Sequence, residues 1–327
     1  MIDPLQRWRN LGEKPDFAGP LSFGGVPITQ DPRDLEGVDV AIVGAPTDDL
    51  VSDRSGTRFA PRAIRAASCP PGPHLDARVD ALAELEVVDY CDAPVLPADP
   101  VRTDRAIAST VGEVVAAGAV PIILGGDHSI TAADVRACAL EHGPVGLVHF
   151  DTHTDTGTEV FGVSQSHGTP MYRLVEEGHV APERYVQIGL RGYWPGEEVF
   201  AWQAERGITS FFMQDVHRRG IDAILDATVE RVGAGPAFLT VDIDVLDPAF
   251  APGTGTPEPG GMALIDLLAA CRRVPSELDL VGADVVEVIP TAVGSADITA
   301  LAAERIVREI LTGIALRRGS AIRRPPS

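Results

Sequence analysis

Basic charge is scarce in this chain. Lys14 is its one lysine, and 27 Lys and Arg stand against 47 Asp and Glu, which leaves a formal net charge of -20. Phosphate recognition relies on clustered Lys and Arg, so nucleic-acid binding and docking on an anionic membrane are both disfavoured, while a cationic substrate would be attracted. The bias toward arginine, with abundant Ala, Gly, Val and Asp, reads as GC-rich codon usage and says little about mechanism. Long apolar runs are missing too: none approaches the roughly 20 residues of a membrane span. Cysteine is sparse, and Cys69, Cys91, Cys138 and Cys271 have no CxxC or ligand-like spacing. The opening Met1-Ile2-Asp3-Pro4 lacks the basic and apolar segments of a secretory signal. Cytoplasmic residence is therefore expected, with the thiols free and serving as small core residues.

What is present is a long, apolar chain with regular alternation. The 327 residues are 45% hydrophobic, enough for a large core, and no composition break marks a linker. One domain over 1–327 is expected, with an N-terminal extension over about 1–35 and a flexible tail over 318–327. Strand-like runs rich in Val and Ile fall at 38–44, 85–89, 120–125, 145–151, 185–190, 208–212, 237–243 and 280–288. Helical stretches at 103–117, 131–142, 169–178, 196–207, 216–232, 263–273 and 296–315 separate most of them. That alternation predicts an α/β fold, a parallel sheet covered on both faces.

Three strand-like runs end in polar clusters. Asp151-Thr152-His153-Thr154-Asp155 follows Phe150, Asp242-Ile243-Asp244 follows Val241, and Gly125-Gly126-Asp127-His128-Ser129 follows Leu124. Side chains alternate along extended backbone, so Asp151, His153 and Asp155 share one face, as do Asp242 and Asp244. Pooled, these segments offer two imidazoles and up to five carboxylates, about twice what one divalent ion needs. The mixture suits two hard or borderline ions such as Mn2+ or Ni2+, and is too rich in carboxylate for structural zinc. Any one cluster reads equally well as a helix cap or turn. All three, each at the carboxyl end of a strand where α/β sheets bind ligands, point to a metal site. The Gly- and Pro-rich stretch 247–261 that follows the second cluster predicts a stiff loop at its rim.

The motifs Gly125-Gly126-Asp127-His128-Ser129, Asp151-x-His153-x-Asp155, Ser166-His167-Gly168-Thr169-Pro170, Asp242-x-Asp244-x-x-Asp247-Pro248 with PGTGTPEPGG, and Val286-Glu287-Val288-Ile289-Pro290 are, in order and spacing, similar to those of the ureohydrolases, the family of arginase and agmatinase. The resemblance runs over 38–317, and its HGTP and PGTGTPEPGG resemble the agmatinase and guanidinobutyrase branch more than true arginases. It implies a three-layer αβα sandwich around a mainly parallel eight-stranded sheet, a binuclear Mn2+ centre, and a homotrimer or homohexamer. Carried over by position, one metal would be held by His128, Asp151, Asp155 and Asp242, and the other by Asp151, His153, Asp242 and Asp244. Bridging carboxylates are also what two dications about 3.5–4 Å apart require. The implied reaction adds water to a guanidinium carbon and yields urea and an amine. Asp155 would protonate the leaving amine, Glu287 would pair with the guanidinium through two hydrogen bonds, and His167 would shuttle protons to solvent.

Other residues have plainer expectations. Asp127 is read as an acceptor behind the ligands or a helix cap, and His149 as a buried, hydrogen-bonded residue. His74, His142, His179 and His217 carry no motif. Arginines in 52–65 are read as structural or interfacial, with Asp53 or Thr57 as lesser candidates for the pocket wall. Substrate choice lies in the loops. After Arg191, true arginases place an acid that reads an α-amino group, whereas this chain has Tyr193 and Trp194. Arginine is therefore disfavoured, and an aromatic such as Trp194 would stack on a guanidinium or shorten the pocket. Glu159 would meet the distal ammonium of agmatine, which makes agmatine the first choice; guanidinobutyrate and guanidine remain alternatives, as does Ni2+. Thr152 departs from the alanine common in the family. From other classes, a single-metal deacylase of related fold and a non-catalytic metal-binding subunit stay in view.

Overall fold

The computed structural model describes residues 1–11, 14–15, 17–68, 72–291 and 297–323. Its strands are β1 (Val40–Ala45), β2 (Val87–Asp92), β3 (Val120–Gly125), β4 (Val145–Phe150), β5 (Val180–Leu190), β6 (Thr209–Phe212), β7 (Pro236–Asp242) and β8 (Asp279–Val286). They form one eight-stranded sheet in the order β2-β1-β3-β8-β7-β4-β5-β6, and every pairing is parallel. β1 and β4 are buried at every position, which explains why these segments read as continuous apolar runs and not as an alternating pattern.

The helices are α1 (Ala60–Ala67), α2 (Ala81–Glu84), α3 (Pro100–Ala116), α4 (Thr131–His142), α5 (Pro170–Glu176), α6 (Glu197–Arg206), α7 (Met213–Arg219), α8 (Ile221–Val232), α9 (Leu264–Glu277) and α10 (Ile298–Arg323). They cover both faces. One core joins Ile42, Ile122, Val148 and Leu239 to Ile64 of α1, Leu225 of α8, Leu267 of α9 and Val307 of α10. The other joins Val43, Ile123, Leu147 and Phe238 to Val111 of α3, Val135 of α4 and Leu174 of α5. This is the three-layer αβα sandwich the sequence implied.

Several boundaries differ from the expectation. The helix expected over 216–232 is two helices, α7 and α8, because Gly220 sits at φ 80 between them, a left-handed conformation that ends one helix and opens the next. α1 forms where no helix was expected; Pro61, pre-set to a helical φ, stands in its first turn. α10 continues past Arg317 to Arg323, so part of the tail expected over 318–327 is helical. The N-terminal stretch is tied back to the sheet, with Ile2 bridging Ile28 and Ile28 bridging Asp89 of β2. Cys138 and Cys271 are buried as expected, but Cys91 is only half-buried, and Cys69 lies outside the described residues. Among the described residues, no helix is long and apolar enough to cross a membrane.

In the sheet, β3, β8, β7 and β4 are consecutive neighbours, and a parallel sheet puts all their carboxyl ends on one edge. The segments that carry Asp127 and His128, Glu287, Asp242 and Asp244, and Asp151 to Asp155 leave these four ends side by side.

Candidate metal centre and active site

The turn after β3 depends on glycine. A Cβ on Gly126 would lie 2.6 Å from the carbonyl oxygens of Ala45 and Thr47, so only a bare backbone passes there. Asp127 then accepts from the Ser129 amide at 3.0 Å and from the Leu50 amide at 3.3 Å, the capping role expected of it. Behind β7, Asp242 accepts from the Asp244 amide at 2.8 Å. Behind β4, Asp151 accepts from the His153 amide at 2.6 Å. Thr152 joins the two acid loops, donating from its hydroxyl to the Asp244 carbonyl at 2.7 Å and from its amide to Asp244 Oδ1 at 3.2 Å. The hydroxyl bond is one that an alanine at this position could not make.

His128 is the centre of the cluster. Its Nδ1 lies 3.0 Å from Asp155 Oδ2, 3.1 Å from Asp151 Oδ2 and 3.2 Å from Asp242 Oδ2, and it is fully buried. One ring N–H could satisfy one acceptor, yet three carboxylate oxygens converge, and Nδ1 has no aligned hydrogen-bond partner among the described residues. The other ring nitrogen, Nε2, lies 2.8 Å from Thr240 Oγ1. Thr240 is the register partner of Asp284 on β8. Burial works against a charged ring, but the hydrogen bonds of Asp151, Asp155 and Asp242 raise His128 well above the usual imidazole range; a cation that displaced that proton would meet the Nδ1 lone pair, with Nε2–H left to Thr240. A lone pair and three anionic oxygens in a dry site fit a cation.

A second group lies beside the first. His153 Nδ1 is 3.1 Å from Asp244 Oδ2 and 3.5 Å from Asp151 Oδ1, and single ligand atoms of Asp151, His153 and Asp244 all lie within 4.8 Å of one another. A donor atom of His149 also falls that close to His128 and Asp151, but its Nε2 is 2.7 Å from Asp151 Oδ2 and its Nδ1 2.9 Å from the Tyr185 hydroxyl. His149 is thus a buried hydrogen-bonding residue that orients Asp151, as its sequence position predicted. The site's charges are strongly coupled. Burial, then the charges of Asp244 and Asp151, push Asp242 well above the usual carboxylate range. Burial acts the same way on Asp151, but His149, His128 and His153 outweigh it and hold that group well below. Burial works against a charged His153, yet Asp244 and Asp151 raise it to about 12.

A cavity of about 490 Å³ opens onto this cluster, with Ser52, His153, Asp155, Glu159, His167, Trp194, Asp242 and Thr256 among its walls. Among the described residues, no lysine or arginine lines it. Glu159 and Trp194 line it, whereas Tyr193, Asp53 and Thr57 are not on the wall. Ser52 and Thr256 were missed. Thr256 belongs to the loop after β7, whose rim is fixed by Arg191: the guanidinium donates to the carbonyls of Asp244 at 2.9 Å, Val245 at 3.1 Å and Glu258 at 2.6 Å. The arginines of 52–65 are structural where they are paired, Arg58 with Asp48 and Asp49, and Arg65 with Asp89 and Asp92.

Glu287 is buried beside the lining residue His167. Its Oε1 accepts from the His128 amide at 2.9 Å and from His167 Nδ1 at 2.9 Å, while Oε2 has no partner among the described residues. The two-oxygen pairing with a guanidinium expected for it therefore reduces to one uncommitted oxygen. Both Glu287, at φ 63, and Asp155, at φ 47, hold the left-handed backbone that non-glycine residues seldom adopt, and such strain gathers at functional sites. His167 is disfavoured as a charged ring by burial, but the hydrogen bond and charge of Glu287, with Asp155 and Asp127 further off, raise it to about 9.

The Arginase family description matches residues 38–313. The chain belongs to the arginase family. Within it, the chain is 42% identical over 307 residues to a guanidinopropionase of Pseudomonas aeruginosa, covering 92% of this chain and 94% of that one. It is 38% identical over 302 residues to an agmatinase of Chromobacterium violaceum, covering 90% and 88%. The solved structure of proclavaminate amidino hydrolase from Streptomyces clavuligerus superposes with a TM-score of 0.87 at 36% identity, over 93% of this chain and all of the other. This arginase-family member is a hydrolase of guanidino carbon–nitrogen bonds with metal-binding residues at the strand ends. That sets aside the deacylase and the non-catalytic subunit.

Proposed function

We propose that this arginase-family enzyme hydrolyses agmatine to putrescine and urea, with two Mn2+ per chain held by His128, Asp151, Asp155 and Asp242 on one side and by Asp151, His153, Asp242 and Asp244 on the other. The observation that carries the substrate is the charge of the cavity: Glu159, Asp155 and Asp242 line it, and among the described residues no Lys or Arg does. A primary ammonium about four carbons from the guanidino group would find an anionic partner in Glu159, while a carboxylate would meet like charge.

Bound in this cluster, divalent cations would supply the positive charge that makes water acidic enough to act as a nucleophile near neutral pH. The chain's own groups would do the rest. Glu287 Oε2, buried and uncommitted, would accept a charge-assisted hydrogen bond from the guanidinium and orient its carbon. Asp155, on the cavity wall beside His128, would hand a proton to the departing amine nitrogen. His167, next to Glu287 and open to the cavity, would exchange protons with solvent.

A second reading rests on the relatives. The chain is more similar to the Pseudomonas guanidinopropionase than to the Chromobacterium agmatinase, which favours a guanidino acid. Urea release by Mn2+-loaded and Ni2+-loaded protein from agmatine, guanidinobutyrate, guanidinopropionate, guanidine and arginine decides between them, and the better of the two loadings identifies the metal. A homotrimer or homohexamer and a cytoplasmic location belong to the same proposal. Sedimentation mass and cell fractionation test them.

A further inference from the structure

Ser52 contacts His167 twice. Its hydroxyl oxygen is 2.7 Å from His167 Nε2, and its backbone amide donates to the same nitrogen at 3.1 Å. These contacts suit different states of the ring. A backbone N–H can only donate, so it needs the Nε2 lone pair of a neutral imidazole whose single proton is on Nδ1, facing Glu287 Oε1 at 2.9 Å. A hydroxyl can donate or accept, so Ser52 Oγ also serves a charged ring that carries a proton on Nε2.

The serine is held there by contacts from three directions. Leu50, two residues earlier, accepts from the His167 amide at 3.2 Å and from the Ser166 hydroxyl at 3.3 Å, and its own amide donates to Asp127 at 3.3 Å. Downstream, Gly56 at φ 136 donates to Asp48 at 2.6 Å, and a Cβ there would lie 2.9 Å from Ile289. The loop after β1 is thus fastened to the segments after β3, β4 and β8. Ser52 itself lines the cavity, whereas the Glu287 side of the ring faces inward.

We propose that Ser52 is a positioning residue for His167, offering an acceptor to the charged ring and a donor to the neutral one, so that Nε2 exchanges protons with the cavity while Nδ1 stays on Glu287. This rests on the reading of His167 as the proton-exchanging group. In the step, the Nε2–H proton passes to Ser52 Oγ as the serine's own hydroxyl proton leaves to solvent; the ring becomes neutral and the serine is regenerated unchanged. The charged groups facing His167 are Glu287, Asp155 and Asp127, from the segments after β8, β4 and β3. None of them replaces Ser52 at Nε2.

The test uses the metal-loaded enzyme and its best guanidino substrate, with Ser52→Ala, Ser52→Thr and His167→Asn beside the parent. Ser52→Ala keeps the backbone donor and loses the hydroxyl, so only the charged ring is penalised. The His167 pKa, followed by NMR of its ring, is expected to fall by roughly one unit. kcat should drop about tenfold with little change in KM, metal content should hold, and Ser52→Thr should recover most of the loss. An unchanged pKa and kcat in Ser52→Ala, beside an inactive His167→Asn, would overturn the role of Ser52 alone. Full turnover in His167→Asn would overturn the reading of His167 and this proposal with it. A loss in Ser52→Ala that threonine does not restore, with an unmoved His167 pKa, marks a loop-packing role and also overturns it.

Discussion

The His128 amide donates to Glu287 Oε1 at 2.9 Å, the same oxygen that takes His167 Nδ1. One carboxylate oxygen thereby ties the segment after β3 to the His167 imidazole after β4, and leaves its twin free. Glu287 keeps its left-handed backbone because its own amide is anchored to the Gly126 carbonyl at 2.9 Å. Strain of this kind costs about 1–3 kcal/mol and persists where surrounding bonds determine it.

Glu287→Gln keeps the shape and one acceptor oxygen but removes the charge. Metal content should stay full, while kcat/KM falls at least tenfold, about 1.4 kcal/mol of transition-state stabilisation. The pH dependence has a definite sign. His167 is raised to about 9 chiefly by Glu287, against the pull of burial, so its contribution to stability is complete below the unfolded value of about 6.5 and disappears as pH rises through about 9. Denaturant unfolding across that window should slope downward in the parent and flatten in Glu287→Gln. Loss of metal from the variant would show that Glu287 holds the cations and not the substrate.

Asp151 faces both His128 and His153, and Asp242 faces His128 while its neighbour Asp244 faces His153. Replacing either Asp151 or Asp242 with Ala should empty both metal positions, whereas His128→Ala or His153→Ala should weaken one. Elemental analysis after loading, with about two ions per parent chain, measures this. A fully active parent carrying a single ion contradicts it.

Thr240 governs His128 from the side away from the acids. Thr240→Val should leave the buried Nε2–H without an acceptor and free the ring to turn its lone pair the other way. Affinity for the cation beside His128 should drop roughly 10- to 100-fold, read by competition with a chelator, while the position beside His153 changes less. Equal affinities in parent and variant would mean that Thr240 does not set the tautomer.

Much of this site was legible because its ligand candidates follow strand ends directly. Asp151 comes one residue after β4 and Asp242 closes β7, so once a parallel sheet is inferred their meeting is nearly forced. The residues that escaped notice depend on tertiary contacts. Ser52 is brought to His167 by Leu50, and Thr256 reaches the cavity on a loop whose carbonyls are gathered by Arg191; neither path has a local sequence signature. Gly220 shows the same limit within the fold. An apolar helical period continues through it, and only its φ of 80 divides α7 from α8. Which oxygen of Glu287 remains uncommitted could not be read from a motif at all.

Arg65 anchors the far side of the sheet, with Asp89 Oδ2 at 2.8 Å and Asp92 Oδ1 at 2.5 Å, and both it and Asp89 are buried. Burial opposes the charge on Arg65, but Asp89 and Asp92 raise its pKa further. Arg65→Ala would strand Asp89 in the core and should destabilise the fold by roughly 3–5 kcal/mol. Equilibrium denaturation should show that loss with metal content and kcat intact in the folded fraction. A cost below about 1 kcal/mol, the range of exposed pairs, would mean that the pair is hydrated.

Substrate length and charge give the sharpest test of the proposed function. Arginine would bring an α-carboxylate into a cavity whose charged walls include Asp155, Glu159 and Asp242 and, among the described residues, no Lys or Arg. Leaving that carboxylate unpaired in a partly buried pocket should cost ~3 kcal/mol, so agmatine should exceed arginine in kcat/KM by about a hundredfold. Glu159 is an exposed residue at the cavity mouth, so its contribution is screened and Glu159→Gln should raise KM for agmatine several-fold with kcat nearly unchanged. Guanidine, which has no distal ammonium, should not notice the substitution. If agmatine kinetics are equally indifferent, and guanidinopropionate or guanidinobutyrate is the faster substrate, the agmatine assignment is wrong. The guanidino acid reading then takes its place, and the arginase-family chemistry at the strand ends stands.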